Sequence, residues 1–232
     1  MVSERTVRRI FHVENEGLLA HLCMLGNIHK YKKEQEIYKP GTRLSKFYIL
    51  INGITYAYLE DCSCECVGGG KIITSYFVSE KDFLLNDGDF RKVASVGMKA
   101  LTDVEIYTIS LENALMLEKQ YPELIWEYIR YLQKIIGFRC MIDNRRMYAS
   151  AMDNYKWFCK NYPEVSKVAS NKQIAAFLGV KPESLSRLKA QIREGKNTEK
   201  PVVDIFVTKD MQWNYQKLKR IMDNNESNKG KM

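Results

Sequence analysis

The stretch VASNKQIAAFLGVKPESLSRLKAQIREGK, residues 168–196, holds two apolar stripes separated by a glycine, and its second half carries a row of basic and hydrogen-bonding side chains. Ser170 is placed to cap a helix, with Gln173 three residues on to complete a capping box. Ile174, Phe177 and Leu178 give that helix one apolar face. Gly179 ends it where a left-handed backbone is cheapest, and Val180 plugs the turn. Pro182 opens a second helix at a position where its missing N–H costs nothing. Leu185, Leu188 and Ile192 recur at helical spacing and form the inward face, while Ala175 and Ala176 are small enough for two helices to cross closely. Glu183, Ser184, Ser186, Arg187, Lys189, Gln191 and Arg193 are left on the outward face. An α-helix fits the major groove, so the pair reads as a helix-turn-helix that binds double-stranded DNA. Arg187 can bridge O6 and N7 of a guanine and Glu183 can accept from N4 of a cytosine, with Ser184 as the third base-reading candidate. Lys181, Lys189, Arg193 and Lys196 suit phosphates by length and charge.

Cys62, Cys64 and Cys66 form the other unusual pattern. At period 2 they share one face of a strand, with neighbours about 7 Å apart, too far for an undistorted disulfide. A buckled strand, or one paired with a second subunit, could bind a soft metal or oxidise. The plainer alternative is three small residues filling a sheet face. No CxxC pair of the structural-zinc kind occurs, so no metal site is expected, and no cofactor is assigned. Catalytic residues are not expected either. There is no Gly-rich phosphate loop, nucleophile elbow or HExxH. The three histidines, His12, His21 and His29, all precede the first strand the pattern marks, which argues against a cupin-like metalloenzyme.

The elements that must hold these groups follow from hydrophobic period and turn residues. A short helical N-terminal stretch gives way to strands at residues 47–51, 54–59, 62–67, 72–78, 94–100 and 104–110, punctuated by Lys39-Pro40-Gly41, Asn52-Gly53, Gly68-Gly69-Gly70 and Asp87-Gly88-Asp89. Many short strands with Gly-rich turns make an antiparallel roll or barrel. From residue 122 to 150 the period changes to 3 and 4, through Ile125, Ile129, Leu132 and Ile136, and predicts a helix of about 40 Å. Such a helix cannot bury its stripe against one small roll, and near-heptad spacing favours a second copy of itself. The fold class is therefore mixed α/β (α+β): an antiparallel β-roll at 1–121, a long dimerisation helix at 122–150, and a C-terminal helix-turn-helix domain at 151–232.

Charge agrees with this division. Residues 1–150 hold 20 Lys plus Arg against 19 Asp plus Glu, an excess of +1, and residues 151–232 hold 16 against 9, an excess of +7. A basic imbalance confined to one third of a chain is the footprint of a polyanion partner. The opening MVSERTVRRIFHVENEG has no signal-peptide pattern, and no apolar run approaches the roughly 20 residues of a membrane span, so a soluble cytoplasmic protein without membrane contact is expected.

The chain resembles the Crp/Fnr family of bacterial transcription regulators. QIAAFLGVKPESLSRLK is similar to that family's recognition motif, EIYKPGTRLSKFYILINGITYAY (36–58) to its opening roll strands, and YKWFCKNYPEV (155–165) to the segment that links the long helix to the DNA-binding domain in one branch. The resemblance implies an effector-sensing, cyclic-nucleotide-binding-like β-roll sensor domain at 1–121, a C-terminal winged helix-turn-helix at 151–232, homodimerisation and sequence-specific DNA binding. The family's base-reading positions commonly hold Arg-Glu and a further Arg four residues beyond the Glu. Here they are Pro182, Glu183 and Arg187, so two of the three are kept. The resemblance also implies a basic wing loop at 195–200, a wing strand at 201–207 and a last helix at 213–222. Its cyclic-nucleotide binders carry a Gly-Glu-Leu run and an Arg-Ser or Arg-Thr pair. FLLNDGDFRKVASVGMKAL (83–101) has neither, and Arg91 is followed by Lys92. A desolvated cyclic phosphate needs those donors, so a different small effector or a redox signal is expected rather than cyclic AMP. The family's iron–sulfur members use a cysteine cluster near the N-terminus, where this chain has only Cys23. A protein-interaction module is the alternative, and RNA polymerase stays open as a partner, with the turn at 68–71 as a candidate contact.

Overall fold

Alternation along the strands sorts side chains into separate cores. In β3 (Lys46–Asn52) Ile49 and Ile51 face one way and Leu50 the other, and in β4 (Thr55–Asp61) Tyr56 and Tyr58 oppose Ala57. The computed structural model describes residues 1–11, 13–61, 71–79, 84 and 93–194. Before these strands come α1 (Glu4–Ile10), α2 (Glu16–Leu25), β1 (Asn27–Tyr31) and β2 (Glu36–Tyr38). After them come β5 (Lys71–Val78), β6 (Gly97–Ala100) and β7 (Val104–Ser110), then α3 (Leu111–Gln120), α4 (Glu123–Tyr148), α5 (Ala151–Asn161), α6 (Pro163–Val168), α7 (Asn171–Leu178) and α8 (Pro182–Arg193).

The strands form two antiparallel sheets, β1-β7-β3 and β2-β6-β4-β5. Between them lie Tyr38, Leu50, Ala57, Met98, Ala100 and Ile106, the interior of the roll. The outer face of the three-stranded sheet, through Ile49, Ile51, Tyr107 and Ile109, is covered by Val7, Leu18, Leu22 and Leu117 of α1, α2 and α3. The outer face of the four-stranded sheet is covered by the C-terminal helices. β3, β4 and β7 thus have two buried faces over much of their length, which is why their sequences read as nearly continuous apolar residues.

The mixed α/β architecture with an antiparallel roll and a long helix matches the sequence expectation, with local differences. β1 and β2 carry too few apolar residues to stand out, and His29 lies within β1, so one histidine does belong to the roll. α3 follows β7 directly because Ser110 ends the strand and caps the helix, its hydroxyl accepting from the Asn113 N–H at 3.1 Å. The strand expected at 94–100 begins at Gly97. That glycine lies against the Tyr58 ring, where an added Cβ would sit 2.3 Å from the nearest ring atom. No helix among the described residues is long and apolar enough to cross a membrane.

The Tyr58 hydroxyl donates to Glu36 Oε1 and holds that carboxyl below the ordinary glutamate value of 4.5, with Lys99 and Lys39 helping at 3.7 and 3.6 Å and burial opposing. A folded-state value below the unfolded one gives stability that is full above about pH 4.5 and is lost as pH falls below that through the lower folded-state value. Glu36→Gln should therefore cost stability at pH 7, and the gap to wild type should close toward pH 3 in urea unfolding. A gap that is constant with pH would contradict this assignment.

Candidate nucleic-acid interface

Local chemistry builds α7 and α8 as the sequence indicates. Ser170 Oγ accepts from the Gln173 N–H at 3.2 Å and Gln173 Oε1 accepts from the Ser170 N–H at 2.9 Å, a complete capping box. Gly179 closes α7 at φ +70°, with its N–H bonded back to the Ala175 and Ala176 carbonyls. An L side chain is disfavoured in that left-handed region. Gly179→Ala should cost about 1 kcal/mol by strain alone, since an added Cβ meets nothing within 4 Å. Equilibrium urea unfolding checks it, and an unchanged midpoint would show the turn can relax. Pro182 stands in the first turn of α8.

Leu185 is fully buried between α5 and α7, Leu188 is half-buried, and Ile192 lies at the exposed end of the stripe. Lys181, Glu183, Ser184, Ser186, Arg187, Gln191 and Arg193 are exposed. The Ser186 hydroxyl donates to the Pro182 carbonyl at 3.1 Å. Lys189 differs from its outward neighbours. It is half-buried, its ammonium donates to Asn171 Oδ1 of α7, and it lies 5.5 Å from the centre of the Tyr155 ring. Burial pushes the Tyr155 hydroxyl up to about 12, with Cys159 adding to the shift and Arg193 opposing it. Lys196, the expected wing and last helix at 195–222, and Cys62, Cys64 and Cys66 lie outside the described residues. Among the described residues no group of His, Cys, Asp and Glu could hold a metal ion.

The helix pair is fixed to the rest of the molecule in two ways that sequence reasoning did not find. Phe177 of α7 packs against Phe158 and Tyr162 at 5.3 and 5.6 Å between ring centres, and against Phe77 of β5 at 5.5 Å. The first helix of the pair is therefore docked on the roll. Arg146, near the end of α4, donates from both Nε and Nη2 to the Phe177 carbonyl, with Nε at 3.1 Å. A cation at a helix C-terminus meets carbonyls that have no intrahelical partner. Arg145 lies over the Trp157 ring at 5.1 Å, and Asn154 Nδ2 donates to the Arg145 carbonyl. The long helix thus ends in a stitched joint rather than a free linker.

α4 itself leaves much of its stripe uncovered. Ile125 and Ile136 are exposed, Ile136 to 60%, and Ile129 and Leu132 are half-buried. The expected effector region is only partly described, because residues 85–92, Arg91 and Lys92 among them, lie outside the described residues. The described interior of the roll is mostly apolar, with buried Thr55 and Thr108 on the same strand faces as Ala57 and Ile106.

No protein-family profile matches the sequence, and no curated protein matches it. Solved structures do. The c-di-GMP responsive global regulator CLP of Xanthomonas campestris aligns with a TM-score of 0.61 at 14% identity, over 81% of this chain and 96% of that one. FixK2 of Bradyrhizobium japonicum aligns with a TM-score of 0.61 at 14% identity, over 82% and 96%. A protein assigned to the transcriptional regulators of the Crp/Fnr family, from Eubacterium rectale, aligns with a TM-score of 0.59 at 15% identity, over 78% and 85%. The chain has the fold of the Crp/Fnr regulators. In the frame of the Crp/Fnr fold, the seven described strands form the β-roll, α4 is the long connecting helix, and α7 and α8 are the helix-turn-helix.

Proposed function

We propose that this protein is a transcription regulator of the Crp/Fnr type that binds double-stranded DNA sequence-specifically as a homodimer. The observation that carries the reading is the α7–α8 pair, with its capped first helix, glycine turn and exposed basic second helix, held on the Crp/Fnr fold. Glu183, Ser184 and Arg187 read bases, and Lys181, Lys189, Arg193 and Lys196 meet phosphates. Lys189 does so by exchanging Asn171 for a phosphate oxygen. Residues 1–121 act as the sensor, 122–150 as the dimerisation helix through Ile125, Ile129, Leu132 and Ile136, and 151–232 as the DNA-binding domain. The protein works in the cytoplasm and is not an enzyme. Its signal is a small effector or a redox change at Cys62, Cys64 and Cys66 rather than cyclic AMP, and RNA polymerase is a further partner.

A two-fold dimer demands a roughly palindromic site with half-sites about 34 Å apart, one turn of DNA. Selection from a pool of randomised duplexes should enrich such an inverted repeat. Failure to enrich any sequence would overturn the reading, and enrichment of a lone asymmetric half-site would overturn its dimeric form.

A further inference from the structure

The docked first helix of the helix-turn-helix encloses a cleft against the roll. Its volume is about 290 Å³, and it is lined by Glu34, Tyr56 and Thr74 on the roll side and by Ser170, Lys172 and Gln173 at the start of α7. Thr74 is 4% exposed, and what it exposes lines this cleft. Tyr56 donates to Glu34 Oε2 at 3.3 Å. Glu34 itself adopts φ +65°, a left-handed backbone that a glutamate seldom takes, and its N–H is tied to the Ala100 carbonyl at 2.8 Å.

The cleft thus has an acidic side and a basic side. Glu34 and Lys172 both line it, yet among the described residues they make no ion pair with each other. Lys172 stands in the first turn of α7, where backbone N–H groups without intrahelical acceptors add positive potential. We propose that this cleft binds a small zwitterion of the α-amino-acid class. Its ammonium group is held by Glu34 with the Thr74 and Tyr56 hydroxyls, and its carboxylate by Lys172 and the start of α7. A nucleotide is excluded by charge, because its phosphates would face Glu34. A neutral sugar would leave both charges without partners. The volume lies at the small end of ligand pockets, roughly 300 Å³ and upward, which fits a free amino acid.

The ligand would touch the sensor roll and the DNA-binding domain at once, so binding would favour their docked arrangement. Only that consequence rests on the regulator reading; the binding itself does not. The test is calorimetric titration of the full chain, without DNA, with each of the twenty common amino acids up to about 10 mM. At least one should bind. Its decarboxylated amine and its deaminated acid should each bind about tenfold more weakly or worse. Glu34→Gln and Lys172→Met, both at exposed rim positions, should each weaken binding about tenfold, and Thr74→Val should weaken it by a smaller factor with the fold unchanged by circular dichroism. Absence of binding by all twenty would overturn the proposal. So would a bound amino acid whose affinity is the same in Glu34→Gln and Lys172→Met. Duplex binding by the ligand-free protein is measured separately. Zwitterion binding without any DNA binding would retain this site and remove the regulator reading, and DNA binding without zwitterion binding would do the reverse.

Discussion

Phe177→Ala should destabilise the protein by about 3–5 kcal/mol, the range for removing a fully packed aromatic side chain from a core. Phe177 is 2% exposed, and its ring contacts Phe77 of the roll, Phe158 of α5 and Tyr162 at the α5–α6 junction. The Arg146 guanidinium lies 5.8 Å from the ring centre. The neighbours come from three different parts of the chain, so they cannot all collapse into the space left behind. The loss should therefore lie well above the transfer cost of the side chain alone. Equilibrium urea unfolding measures it. Because the ring joins the roll to the helix pair, the variant should also unfold in two steps, the C-terminal helices before the roll. A loss under about 1 kcal/mol, with a single transition, would mean that α7 is not docked on β5 in solution.

Ile129→Asp combined with Ile136→Asp should convert a dimer to a monomer. Ile125, Ile129, Leu132 and Ile136 recur at spacings of 4, 3 and 4 on α4 and are only partly covered by their own chain. Two carboxylates in the middle of such a seam would be desolvated against apolar partners or against each other. Sedimentation at micromolar concentration should give twice the chain mass for wild type and the single-chain mass for the variant. Affinity for a two-half-site duplex should fall by about 10²- to 10⁴-fold, because the second half-site is no longer delivered at high effective concentration. A variant that keeps the wild-type mass would place the interface elsewhere.

Legibility in the sequence followed the range of the interactions involved. The α7–α8 pair could be read because its signals are local: Ser170 and Gln173 are three residues apart, and Gly179 and Pro182 mark the turn by backbone preference alone. The uncovered stripe of α4 was legible for the same reason, as a repeat within one helix. β1 escaped because NIHKY has only alternate half-buried positions on a short strand. α3 escaped because its one fully buried residue, Leu117, leaves little apolar period to detect. The docking of α7 on β5 could not be read at all. Tyr56, Tyr58 and Phe77 look like ordinary strand residues, and only their contact with Phe158 and Phe177, many residues away, reveals that the roll has a second covered face. Lys189 shows the same limit on a smaller scale. Its place on the helical wheel is outward, but Asn171 and Tyr155 draw its side chain back over the fold.

The central claim is that α8 reads base sequence, and a comparison of Arg187→Ala with Lys189→Ala tests it most directly. Arg187 is exposed, and its planar fork can satisfy both guanine acceptors at once. Removing it should cost about 1–3 kcal/mol on a selected duplex, relax preference at one base pair, and cost less on scrambled DNA. Lys189 supplies a point charge, so Lys189→Ala should weaken selected and scrambled duplexes nearly alike and lower the salt slope by about one unit. Binding curves on both duplexes at several salt concentrations separate the two outcomes. If Arg187→Ala and Lys189→Ala prove indistinguishable in both specificity and salt slope, α8 is not reading bases, and the assignment as a sequence-specific regulator is contradicted.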